Sequence, residues 1–187
     1  MHTARLLIEA GVDPLGSPDD DTSPIFALMA KPDATTIEIL KLMLDRRPDL
    51  ISTPHPSFPH YTILHLAVRQ ILEITNPLEP HYRREIVKFL IEQGAEVNAQ
   101  DSAGYTCLNL ALVCTHQHSP QPDIEMIELL VHHGANWLIP NVFNRTPRDN
   151  LFRNPLLNTW RTTPEMQSRL APLLEISFWD RCINLFK

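Results

Sequence analysis

The stretch from Ile86 to Ala111, I-V-K-F-L-I-E-Q-G-A-E-V-N-A-Q-D-S-A-G-Y-T-C-L-N-L-A, decides the fold. Ile86, Val87, Phe89, Leu90 and Ile91 crowd its first part with apolar side chains, which predicts a mostly buried helix. Gly94 ends that helix, because glycine enters the left-handed region without a Cβ clash. From Glu96 to Tyr105 the chain is polar, with Asn98, Asp101 and Gly104 as turn residues. Thr106 then opens a second apolar run through Leu108, Leu110, Ala111 and Leu112. Helix, stop, polar turn and helix cannot close a core alone, so the unit requires copies of itself.

The copies are there. Gly11 and Ser23, Gly94 and Thr106, and Gly134 and Thr146 are each 12 positions apart. Before the glycines stand L-L-I-E-A, F-L-I-E-Q and L-L-V-H-H; after the Ser or Thr positions stand S-P-I-F-A-L, T-I-L-H-L-A, T-C-L-N-L-A and T-P-R-D-N-L. This pattern resembles the ankyrin repeat, whose period is about 33 residues and whose signature is T-P-L-H-x-A. Thr62 to Ala67 is the nearest copy of that signature, and the resemblance spans roughly residues 1–152. It implies an all-α solenoid of about four helix-turn-helix units with β-hairpin fingers, carrying long helix–helix insertions and a C-terminal helical cap.

The units expected are a partial first repeat at 1–22, then 23–61, 62–105 and 106–145, a degenerate unit from 146, and a cap at 153–187. Ser23 to Ala30 reads as a first helix and Thr35 to Asp45 as its partner. Arg46-Arg47-Pro48-Asp49 replaces the glycine stop. Another first helix is expected from Thr62 to about Ile74, with its partner starting at Ile86, so eleven extra residues lie between them, including Asn76-Pro77 and Glu79-Pro80-His81. A second insertion falls around Cys114 to Pro120. Such insertions on one side of a solenoid serve either as interaction loops or as tolerated surface drift. Asp123 to His133 reads as a second helix, Asn136 to Asn144 as the last hairpin, and Glu165 to Ile176 as a helix containing Pro172. The core rows expected are Leu6, Leu7, Ile25, Leu28, Ile39, Leu42, Leu64, Leu66, Ala67, Ile86, Phe89, Leu90, Leu108, Leu110, Ala111, Ile127, Leu129 and Leu130.

A chain of 187 residues supports a substantial core. No apolar run reaches the ~20 residues a membrane helix requires, so no membrane span is expected. Cys107, Cys114 and Cys182 make no even disulfide framework, which favours an intracellular place, cytoplasmic or nuclear. A net charge of −6 argues against general nucleic-acid binding. The charge is uneven: residues 1–140 hold 9 Lys/Arg against 18 Asp/Glu, and residues 141–187 hold 7 against 4. The array is therefore acidic and its end basic.

Thr62 and His65 could suggest catalysis, but Asn109 and Asp149 stand at the His position in other units, which fits a local polar tie. No phosphate loop, nucleophile elbow or dinucleotide fingerprint is present, so neither an enzyme nor a cofactor is expected. His116 and His118 are two apart in an insertion and are the weak metal candidates; they define the alternative, a metal-binding or enzymatic protein using the histidine-bearing insertions. The resemblance implies a concave groove at Thr22, Tyr61, Tyr105 and Arg145, with tip neighbours Phe58, Ser102, Ala103, Val142 and Phe143, and an acidic finger at Asp19, Asp20 and Asp21. It also makes Asn98 a candidate for asparaginyl hydroxylation, against a plain turn-shaping role. The expected function is that of an adaptor or scaffold binding another protein through fingers and groove. Thr3 to Ala10 matches a second helix without a first, so self-association or a further repeat is expected at this end.

Overall fold

The computed structural model describes residues 6, 10–11, 13–15, 23–30, 32–55, 60–69, 79–113, 122–153, 157 and 162–174. Eight helices run through them: α1 (Pro24–Ala30), α2 (Thr36–Arg46), α3 (Ile63–Val68), α4 (Glu79–Glu92), α5 (Cys107–Val113), α6 (Ile124–His132), α7 (Pro147–Arg153) and α8 (Pro164–Leu174). A 3₁₀ turn, Pro48–Ile51, follows α2.

Contacts between helices follow the order expected of stacked units. Helices α1, α3, α5 and α7 touch in succession and form one row. Helices α2, α4 and α6 touch in succession and form the other. Across the rows, α3 pairs with α4 and α5 with α6. Within the first row α3 is apolar almost all round and every one of its residues is buried, His65 included, whereas α7 buries only Pro147 and Leu151. The second-row helices are amphipathic, with Ile39, Leu40, Met43 and Leu44 buried on α2 and Ile124, Met126, Ile127 and Leu130 on α6. One continuous core results, from Leu15 to Leu173.

Most of the expected core positions are buried. Leu6 is not: it is 51 % exposed. Leu42, Phe89 and Leu129 are half-buried; on the outward flank of the second row, Phe89 is covered by Lys41, whose Nζ stands 5.8 Å from the ring centroid. Leu7 lies outside the described residues.

Three expectations about the elements are corrected. Helix α3 stops at Val68 rather than near residue 74, because Arg69 turns extended at φ −70° and ψ 116°. Its last carbonyls are taken by a side chain instead of another turn: the Arg83 guanidinium, 4 % exposed, donates to Ala67 O and Arg69 O at 3.5 and 3.4 Å. Helix α4 starts at Glu79, not Ile86. Pro80 fits its first turn, where no N–H is needed, so part of the supposed insertion is extra helix. The fingers at 96–105 and 136–145, finally, are tight turns: no strand occurs among the described residues. Asp101 N–H donates to Tyr105 O and Gly104 N–H to Asp101 O, while Ala99 N–H turns back to Glu96 O. Too few residues remain between these turns for a ladder.

Where the glycine stop is missing after α2, Arg47 fastens the chain instead. Its guanidinium reaches Asp49 Oδ2 at 2.7 Å and Asp13 Oδ2 at 2.9 Å, linking the 3₁₀ turn to the preceding unit. Helix α8 buries Met166, Leu170 and Leu173. Arg169 grips Glu128 of α6 with two parallel bonds of 2.8 and 2.6 Å.

Candidate functional site

Each described finger is set by the residue that opens the helix after it. In α3, Thr62 N–H donates to His65 Nδ1 at 3.2 Å, with the Thr62 hydroxyl 2.9 Å from the same nitrogen. Before α5, Thr106 N–H and Oγ1–H both donate to Asn109 Oδ1 at 3.0 Å. Before α7, they donate to Asp149 Oδ2 at 3.1 and 2.9 Å. His, Asn and Asp thus play the same part, each supplying an acceptor that closes the first turn of the helix.

Histidine adds a second bond that the other two lack. Since Nδ1 accepts, the proton sits on Nε2, which donates to Tyr105 O of the next finger at 3.3 Å. Burial lowers the His65 pKa below its ordinary value, so the ring is neutral near pH 7. Asn109 is too short to repeat this reach, and its buried Nδ2 has no acceptor among the described residues.

Adjacent fingers are joined directly. Asn98 Nδ2 donates to Gly134 O and Asn98 Oδ1 accepts from Asn136 N–H, both at 2.9 Å. Gln100 Nε2 donates to Gly104 O at 2.8 Å and Pro140 O at 3.0 Å. Val142 N–H donates to Ala103 O at 3.0 Å. The approach is close enough that a Cβ on Gly104 would lie 2.8 Å from Asn141 Cα. Within each finger an Asx turn sets the tip: Asp101 Oδ1 accepts from Ala103 and Tyr105 N–H, and Asn141 Oδ1 from Phe143 and Arg145 N–H. Gly104 at φ 75° and Asn144 at φ 55° reverse the chain at equivalent places.

Of the expected groove residues, Tyr61 and Tyr105 are half-buried at matching positions just before their threonines. Tyr61 stacks on His65, with centroids 5.5 Å apart. Arg69 Cζ stands 5.4 Å from the Tyr61 ring centroid. Ser102 is exposed and Ala103 half-buried; Val142, Phe143 and Arg145 are exposed. Asn98 is half-buried, and both ends of its amide are engaged by the next unit. Phe58, Thr22, Asp19, Asp20, Asp21, His116 and His118 lie outside the described residues. Among the described residues no group of three or more His, Cys, Asp or Glu is placed to hold a metal, and no helix is long and apolar enough to cross a membrane.

Sequence reasoning missed two contributors. Arg69 follows Tyr61 by eight residues and could be connected to it only once α3 was known to end at Val68. Leu138 was legible: it aligns with Asn98 forty residues earlier, and an apolar residue in place of a bonding amide marks a changed surface.

No curated protein matches the chain. Residues 60–102 match the family model of the ankyrin repeat, a module that in general mediates protein–protein interaction. The matched segment contains the Thr62–His65 box, helix α4, Gly94 and Asn98, the parts from which the turn, the stop and the tie between units are built. Over these residues the chain is similar to an ankyrin repeat.

Proposed function

We propose that the protein is an adaptor or scaffold that binds a partner protein along the row of finger turns and the groove beside them. The carrying observation is the pair Tyr61 and Tyr105. Both sit where chain turns into helix, both stay partly open, and their surroundings hold them still: Tyr61 lies against His65 and Arg69, and Tyr105 has its backbone fixed by Asp101 and His65. A pre-ordered tyrosine offers large contact area with little entropy left to lose on binding.

The same reading takes residues 1–152 as a solenoid of about four units, divided at 22, 61, 105 and 145, and residues 153–187 as its C-terminal cap. The two rows of helices and the burial of Met166, Leu170 and Leu173 support it. Ser102, Ala103, Val142, Phe143 and Arg145 extend the surface along the tips, with Phe58 and the Asp19–Asp21 finger as its other end. Asn98 acts as a tie between units, since both polar ends of its side chain already serve that purpose.

The partner expected is a protein segment with an apolar or aromatic centre and a basic end facing the aspartates. With a partner in hand, Tyr61→Ala with Tyr105→Ala should weaken binding at least roughly tenfold, the loss expected of hot-spot anchors, without unfolding the domain. Binding that survives this change but is lost on shortening the insertions expected at residues 75–82 and 115–121 would move the site to the insertions.

A further inference from the structure

Among the described residues the finger at 96–105 is bonded by the one after it, whereas no later finger bonds the turn at 136–145. On the earlier of the two adjacent fingers, Asn98, Gln100 and Ala103 are the residues that bond the next finger, and Gly104 lets its backbone come close. Forty residues on, their counterparts are Leu138, Pro140, Phe143 and Asn144. Two polar binders have become apolar or lost their donors, and a methyl has become a phenyl ring. Leu138, Val142 and Phe143 are 44 %, 65 % and 67 % exposed. These large side chains fall within six positions of the chain, where isolated exposed hydrophobes would be unremarkable but several together mark an interaction surface.

Charge fixes the chemistry of the occupant. Arg145 is exposed beside Phe143 and makes no ion pair with any described residue. It opens the part of the sequence in which Lys and Arg outnumber Asp and Glu, 7 to 4. Phe143 O holds the position at which Ala103 O accepts a backbone N–H from the neighbouring turn, so an extended segment can offer an amide there. Asn144 stands where Gly104 accommodates a close backbone, so the newcomer lies further out and meets side chains first.

We infer that this open face docks an extended segment of a partner protein that carries apolar side chains next to carboxylates. The inference rests on the reading of the chain as a partner-binding protein and deepens it, giving the chemistry of the occupant at the end of that surface away from the tyrosines. Apolar residues fill the space over Leu138, Val142 and Phe143, an Asp or Glu pairs with Arg145, and a main-chain N–H meets Phe143 O.

The probe is a displayed library of random 12-residue peptides, selected on the full chain and counter-selected on the Val142→Ser, Phe143→Ser double variant. These side chains are exposed, so the melting curve of the variant should match the parent. The expected winners place Asp or Glu beside Leu, Ile or Phe. They should lose at least roughly tenfold in affinity on the double variant and on Arg145→Glu, and bind Tyr61→Ala, Tyr105→Ala normally. Winners without acidic enrichment, or a library in which nothing separates parent from double variant, overturn the inference. Peptides lost with the tyrosine pair yet kept by the Val142, Phe143 pair overturn it too and leave the groove standing. Sedimentation of the chain alone covers the remaining occupant: a dimer abolished by Phe143→Ser would overturn the inference by showing that a second copy, not a partner segment, sits there.

Discussion

Gly104 and Gly94 offer a matched pair of perturbations. Both have positive φ, 75° and 94°, so alanine is strained at either place. A left-handed L-residue costs about 1–2 kcal/mol, and the reduced freedom of the unfolded chain returns about 0.4–1 kcal/mol. Gly94→Ala meets nothing within 4 Å and should therefore cost about 1 kcal/mol in all. Gly104→Ala carries the same strain and adds a collision, with Asn141 Cα at 2.8 Å and Val142 N at 3.0 Å. Backbone cannot swing aside as a flexible side chain can, so the next finger must retreat by roughly 0.7 Å to reach ordinary carbon contact. That movement pulls on the Val142 N–H bond to Ala103 O and on the Gln100 bonds, each worth about 1 kcal/mol net. Overpacking of this kind adds about 1–3 kcal/mol, for a total of roughly 2–4 kcal/mol. Urea unfolding of both variants, read as midpoint at constant slope, measures the difference; at a slope of about 2 kcal/mol per molar it amounts to roughly 1 M. Equal midpoints for the two variants would refute the close stacking of the fingers.

Leu90 is fully buried in α4, so Leu90→Ala should cost about 2–5 kcal/mol in urea unfolding. Asn109→His should restore the second bond that His65 makes to the next finger, removing an orphaned donor and raising stability by about 1 kcal/mol; a lower urea midpoint would show that the imidazole does not fit. The lowered His65 pKa arises from burial, so folding favours the neutral ring. Its contribution is complete above the unfolded value near 6.5 and is lost as pH falls through the lower folded value. Stability should decline as pH falls below about 6.5 and level off below the folded value, and His65→Asn, the residue found at this place in the next unit, should flatten the decline in midpoints measured between pH 7.5 and 5. Arg169→Ala removes a two-bonded but partly exposed pair with Glu128 and should cost about 1 kcal/mol or less, visible mainly as earlier proteolysis of α8.

The stacking plan was legible because it is periodic. Twelve residues from stop to threonine recur, and apolar residues recur around them, so the rows of helices and most of their core could be assigned. Length inside a unit was less legible. Pro80 reads equally well as a loop residue or as the first turn of a helix, and only Arg83, reaching back to the α3 carbonyls, fixes where one helix ends and the next begins. The described fingers form no strand for a related reason. Asn and Gly signal reversal of the chain, but strand pairing needs flanking residues free to form a ladder, and here those residues bond the neighbouring unit. At the candidate site, position identified the tyrosines, whereas the cation over Tyr61 and the open face around Leu138 depend on contacts far apart in sequence.

Backbone amide exchange in the native protein tests the stacking of the fingers most directly. The amides of Val142 and Asn136 donate to Ala103 O and Asn98 Oδ1, atoms of the preceding unit, although Val142 sits on an exposed tip. Nuclear magnetic resonance should find both protected well beyond an unstructured chain, with protection lost together in Gly104→Ala. Exchange of both amides at the rate of a free peptide would mean that the fingers stand apart and form no continuous surface for a partner.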